Sequence, residues 1–127
     1  MSEDPLHRLY INLGQQGITD LVAAFYKQVP GDDILGPMYP SDEMDAAEAR
    51  LRDFLIFRLG GPQTYIEQRG HPRLRMRHMP FAIDVNARNR WIALMTNALD
   101  EIEISAKDRE LMLAFFEHLA TFMINRQ

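Results

Sequence analysis

The chain holds four histidines, His7, His71, His78 and His118, and no cysteine. No HExxH pair occurs among them. No acidic pair stands with a histidine at the spacing of a two-metal site. Ser2, Ser41 and Ser105 fall at the terminus or at helix starts, where capping accounts for them, so no nucleophile–base pair is indicated. Gly14-Gln15-Gln16-Gly17 reads as a turn rather than a phosphate-binding loop. His78 is different because of its punctuation. Gly60-Gly61-Pro62 breaks the preceding helix, Gly70-His71-Pro72 opens a new segment, and Met79-Pro80 closes it. Between the two prolines there is room for only about two turns, at ~3.6 residues per turn. A helix that short is not stable alone. His78 in its last turn either caps it, as a partly positive imidazole suits a helix C-terminus, or holds a metal.

Three further residues share a chemistry. Tyr26, Tyr39 and Trp91 are large aromatics, each with one polar hydrogen and each on or beside an apolar face. Taken singly, each reads as a core residue with an incidental hydrogen bond. Converging, they would line an apolar pocket with hydrogen-bond donors and no charge, suited to a small neutral ligand that becomes polarised when bound. With one histidine on a two-turn helix, the constellation reads as a haem site: an axial imidazole on one face and a donor-lined cavity on the other.

The elements that must position these residues are all helical. Leu6, Leu9, Tyr10 and Leu13 predict a short first helix ending at Gly14. A second starts near Ile18-Thr19, with Thr19 as cap, and buries Leu21, Val22, Phe25, Tyr26 and Val29 before Pro30-Gly31. Asp32 to Tyr39 is irregular. Ser41-Asp42-Glu43 starts a helix running to about Leu59, with Met44, Ala47, Leu51, Phe54 and Leu55 on one side. Asp84 or Asn86 caps a long helix to about Ile102, whose apolar face is Trp91, Leu94, Met95, Ala98, Leu99 and Ile102. The last begins near Ser105 and buries Leu111, Met112, Phe115, Phe116, Leu119, Phe122 and Met123. No segment sustains period-two alternation, so the expected class is all-α. The stretch from Gly60 to Arg73 is long and non-periodic, and a long loop inside a compact domain is usually functional.

At 127 residues the chain is one domain, residues 1–127, large enough for a core without staples. Its 46% hydrophobic and 25% charged residues are those of a soluble globular protein. A net charge of −4 points to neither nucleic acid nor an anionic membrane surface as partner. Without cysteine, disulfides, thiolate catalysis, iron–sulfur clusters and Cys-type zinc sites are excluded. No apolar run spans a bilayer, and the acidic N-terminus lacks the regions of a signal peptide, so a cytoplasmic location is expected.

From about Leu9 to Met123 the chain resembles the group II truncated haemoglobins, bacterial and plant globins with a two-over-two helical sandwich. The specific part is Gly60-Gly61-Pro62, Thr64-Tyr65, the run Glu67 to His78, and Pro80-Phe81. The resemblance implies haem b held by His78 as proximal iron ligand. It implies that Tyr26, Tyr39 and Trp91 face the bound ligand, that Ala47 leaves an opening where many globins place a distal histidine or glutamine, and that Leu51, Phe54 and Phe81 contact the haem. Tyr65 and Arg77, with Arg73 and Arg75, are candidates for the propionates; the bland reading of the arginines is a solvated face. In two places the chain departs from the family pattern: Leu13-Gly14 stands where paired glycines are common, and Leu59 where an aromatic is common.

The implied function is binding of dioxygen and other diatomics such as NO and CO, as a high-affinity, slow-release carrier. The alternative is a slow redox enzyme, peroxidase-like or an NO dioxygenase, fed by an external reductase. A cofactor-free helical interaction domain is the third reading. Monomer and homodimer are both compatible with the sequence.

Overall fold

A computed structural model describes residues 5–39, 41–62 and 83–125. Among the described residues four α-helices make up the framework and no strand occurs. They are α1 (Pro5–Gln28), α2 (Met44–Arg58), α3 (Val85–Asp100) and α4 (Ala106–Phe122). Helix α1 packs on α2, α3 packs on α4, and α1 also touches α3 and α4, which gives the two-over-two sandwich.

The first helix breaks at Gly14 as expected, but no separate turn follows and the second helix starts at once rather than near Ile18-Thr19. Gly14 takes φ 68° and ψ 176° and turns the axis in one residue, after which the helix resumes. A side chain there would find open space, so conformation rather than crowding requires the glycine. Thr19 therefore caps nothing: its Oγ1 donates to the Gln15 carbonyl at 2.7 Å, inside the helix. The start of α2 also differs from expectation. Ser41–Glu43 forms a 3₁₀ turn, and the α-helix proper begins at Met44 without a side-chain cap. The other two starts follow the sequence. Asp84 Oδ1 accepts from the Ala87 N–H at 2.8 Å, and Ser105 Oγ from the Asp108 N–H at 3.1 Å.

Phe25, Phe116, Leu9, Ile18, Leu21, Leu55, Leu59, Met95, Leu99 and Met112 are fully buried and form the core. Each such side chain contributes about 1.5–3 kcal/mol by leaving water. Phe122, expected inside, is 58% exposed. It lies in the final turn of α4, and the core there is closed by Met123, at the C-cap. Two contacts fix where the chain leaves and re-enters the framework. A side chain at Gly60 would strike His7, and one at Gly61 would meet Tyr10 Cε1 at 2.5 Å, so the glycine pair lets the end of α2 lie against the first turns of α1. Ile83 and Asn125 exchange two 2.9 Å bonds, pinning the approach to α3 on the C-terminal end of α4.

Candidate functional site

Tyr26 stands near the C-terminal end of α1, on the face that buries Leu21, Val22 and Phe25, and is 6% exposed. Tyr39 is half-buried and is carried to it by a tightly wound loop. Asp32 starts that loop. Its Oδ2 accepts from the N–H of Ile34 at 3.0 Å and of Leu35 at 2.7 Å, and its carbonyl accepts from Gly36 at 3.0 Å. A 3₁₀ turn, Gly36–Met38, then ends with the Tyr39 N–H donating to the Gly36 carbonyl at 3.2 Å. The two phenol rings meet edge to face, centroids 5.6 Å apart at 89°.

Burial pushes the Tyr26 hydroxyl far above the ordinary phenol range, and Tyr39 adds to this both by its charge when ionised and as hydrogen-bond partner. Burial raises Tyr39 as well, partly offset by its bond with Tyr26 and by the Arg50 guanidinium. Both phenols therefore stay protonated at neutral pH. Each phenol therefore keeps a proton that it can donate.

Trp91 reaches the same region from α3. Phe25 stands between it and Tyr26: the Phe25 ring is 5.0 Å from Tyr26 at 89° and 5.6 Å from Trp91 at 56°. Phe116 backs Trp91 from α4, 5.4 Å away at 80°. Trp91 is half-buried, and its indole N–H has no hydrogen-bond partner among the described residues. Helix α2 supplies a different surface. Ala47, Leu51 and Phe54 recur at i, i+4 and i+7, so they share one face, with Ala47 and Phe54 buried and Leu51 half-buried. Tyr26, Tyr39, Trp91, Ala47, Leu51 and Phe54 all belong to or pack against one continuous apolar cluster. A separate concavity of about 330 Å³, lined by Gln15, Thr19, Arg52, Asp53, Ile56 and Pro62, shares none of them.

Ring contacts through Phe25 link Tyr26, Tyr39 and Trp91, while Ala47, Leu51 and Phe54 share one face of α2 within the same core. His78, Tyr65, Arg77 and Phe81, with Arg73 and Arg75, lie outside the described residues. Phe25 and Phe116 were legible only as core; their ring contacts make them the mounting of Tyr26 and Trp91. Among the described residues no group of three His, Asp or Glu is placed to hold a metal ion.

The family model for bacterial-like globins matches residues 8–125. The chain belongs to the bacterial-like globins, among the group II truncated haemoglobins. It is 35% identical to the group 2 truncated haemoglobin YjbI of Bacillus subtilis, over 92% of this chain and 88% of that one. It is 33% identical to the two-on-two haemoglobin-3 of Arabidopsis thaliana, over 91% of this chain and 68% of that one. Among solved structures, the thermostable haemoglobin of Thermobifida fusca superposes with a TM-score of 0.87 at 41% identity, covering 92% of this chain and 96% of that one. The oxygen-avid truncated haemoglobin of Bacillus subtilis superposes with a TM-score of 0.86 at 34% identity, covering 92% and 98%.

Membership of this globin family implies haem-based oxygen binding. The described residues suit that group. The α2 face of Ala47, Leu51 and Phe54 is apolar, Tyr26, Tyr39 and Trp91 offer polar hydrogens without charge, and the half-buried indole N–H is unpartnered among them. No helix among the described residues is long and apolar enough to cross a membrane.

Proposed function

We propose that this globin holds haem b through His78 and binds dioxygen with high affinity and slow release. What supports the reading best is the junction of Tyr39, Tyr26 and Trp91 through ring contacts, in one cluster with the apolar α2 face. When bound, the haem supplies a ferrous iron that takes up a diatomic molecule. Ala47, Leu51, Phe54 and Phe81 would line its apolar surroundings, and Tyr65 and Arg77 would meet its propionates. Trp91 donates its indole N–H to the captured ligand. Tyr26 and Tyr39, whose rings meet edge to face, are the further donors. Two or three net hydrogen bonds, each worth about 0.5–1.5 kcal/mol, would slow ligand escape by about one to three decades. A protein that releases oxygen so slowly stores, senses or consumes it better than it transports it.

The visible spectrum of the purified protein, ferric and dithionite-reduced, tests the foundation. A Soret band, with weakened haem retention or altered ferrous coordination in His78→Gly, supports the reading; a protein that stays colourless with added hemin ends it. Trp91→Phe should then speed oxygen dissociation at least several-fold by stopped flow, and an unchanged rate removes Trp91 from the mechanism.

A slow redox role uses the same residues. A peroxidase-like site wants a carboxylate partner behind the axial imidazole; Glu67 and Asp84 are the candidates, and Asp84 also accepts through Oδ1 from the Ala87 N–H as the cap of α3. Steady-state NO consumption with an added reductase separates the carrier from an NO dioxygenase.

A further inference from the structure

Tyr39 and Trp91 are separated by 52 positions in the chain, yet one side-chain pair ties together the segments that hold them. Arg90, directly before Trp91, donates from Nη1 to Asp32 Oδ1 at 2.6 Å. Asp32 is the residue from whose carboxylate and carbonyl the loop to Tyr39 is wound. The Asp32 side chain is 5% exposed, whereas its neighbour Asp33, 3.2 Å from the same Arg90 nitrogen, is 84% exposed. Arg90 thus has a buried partner and a solvated one, and the buried partner is the one built into the loop. The pairing continues along α3. Gln28 Nε2 donates to the Leu94 carbonyl at 2.9 Å, Asn97 Nδ2 donates to Gln28 Oε1 at 3.1 Å, and Lys27 meets Glu101 at 2.8 Å. Arg90, Leu94, Asn97 and Glu101 recur at steps of four, three and four, one stripe on the helix. Helix α1, which carries Tyr26, is therefore held in register against α3, which carries Trp91.

We infer that Asp32 and Arg90 form a latch that sets the separation of Tyr39 from Trp91, so that both donors reach the same ligand. The inference rests on the oxygen-binding reading above. Neither residue touches the ligand; both are positioning residues. A dioxygen molecule accepts hydrogen bonds when held, whereas carbon monoxide develops little negative charge, so a misplaced donor is felt by the first ligand and hardly by the second. A change in general packing or stability does not discriminate between the two gases in that way.

Asp32→Asn is the cleanest variant, because the amide oxygen keeps an acceptor for the Ile34 and Leu35 N–H groups while an NH₂ group now faces Arg90. Arg90→Met keeps the stem and removes the charge, and Arg90→Lys restores the charge without the planar fork. Oxygen and carbon monoxide dissociation would be measured by stopped flow on the haem-loaded proteins. The chain's single tryptophan gives one indole N–H resonance, to be followed by NMR in the carbon monoxide form. The expected result for Asp32→Asn and for Arg90→Met is oxygen loss faster by about two- to tenfold, the worth of one net hydrogen bond. Carbon monoxide loss should stay within about twofold on the same scale. The double variant should be no faster than either single one, because the two residues act as a unit. The indole resonance should shift in both single variants, and Arg90→Lys should recover part of the native oxygen rate. Equal acceleration of both gases, or an indole resonance at its native position in both single variants, overturns the latch. Trp91→Phe runs alongside. If it speeds oxygen loss and the latch variants do not, the latch is wrong and the donor reading stands. If it leaves oxygen loss unchanged, the donor reading fails and the latch falls with it.

Discussion

The proposed site has two walls, and they are made differently. One, from α1, the loop after it and α3, carries the proposed donors Tyr26, Tyr39 and Trp91, and it is held by ring-on-ring contacts and by a seam of ion pairs and amide hydrogen bonds. The wall from α2 carries none. Ala47, Leu51 and Phe54 give it shape only, and its smallest residue sits toward the start of the helix. The difference shows where a protein puts its precision. A donor acts over tenths of an ångström and fails when misaimed, so it needs mounting from several directions. An apolar wall acts by excluding water and by its contour, so one helical face at i, i+4, i+7 spacing suffices.

The comparison breaks most severely if its mounting is removed. Phe25→Ala should cost about 3–5 kcal/mol in denaturant unfolding, because a fully buried ring is lost from between Tyr26 and Trp91. A loss under about 1 kcal/mol would mean that the wall closes around the gap and that Phe25 is not its keystone. The opposite wall should respond in kinetics rather than stability. Ala47→Leu fills the α2 face and should slow carbon monoxide association, read by flash photolysis, by about tenfold, equivalent to a barrier higher by ~1.4 kcal/mol. Unchanged association would place ligand entry elsewhere than over Ala47.

Alkaline pH sharpens the contrast further, since only one wall titrates there. Tyr26 and Tyr39 both have folded-state values raised above the ordinary phenol value, by burial first. A raised value means that the folded state holds its proton longer than the unfolded chain. The stability this contributes is complete below about pH 10 and is lost as pH rises through the folded-state values. Urea unfolding followed upward from pH 9 should fall steeply in the native protein and less steeply in Tyr26→Phe; equal slopes would show that Tyr26 ionises as it does in the unfolded chain. Acid works on the seam in the reverse sense. Burial alone would raise Asp32, but the Leu35 N–H, Arg90 and the Ile34 N–H outweigh it and hold the carboxyl below the usual range, so its contribution is present above about pH 4 and lost as pH falls. The smallest effect belongs to the exposed end of the same seam. Lys27→Ala removes the solvated Glu101 pair and should change unfolding free energy by only about 0.2–1 kcal/mol.

Much of this was legible in the residues. Apolar periodicity predicted five helical segments, the first two of which run together through Gly14, and most of their buried faces; the caps at Asp84 and Ser105 could be read because capping is a contact across three residues. Segments that depend on one residue's conformation were harder. Gly14 ends one helix as read, but its spacing does not say how soon the next begins, and only the helical bonding from Gln15 onward places that start. Phe122 obeys the helical period but lies past the point where the core ends, and period alone does not say where that is.

By itself, then, the sequence determined the all-helical class and the shared apolar faces, and its resemblance pointed to the globin family with Tyr26, Tyr39 and Trp91 as expected donors. The class and the faces follow from residue type and from spacings of three to seven positions, which a helix converts directly into shared faces; the family follows from the run between Gly60 and Phe81. The tertiary structure alone decided that the Tyr26 and Tyr39 rings meet edge to face, that Phe25 and Phe116 mount the aromatic wall, and that Arg90 reaches Asp32 across 58 positions. No local rule relates residues that far apart. Which arginine meets which of 18 acidic residues is settled only when packing has fixed the two helices against each other.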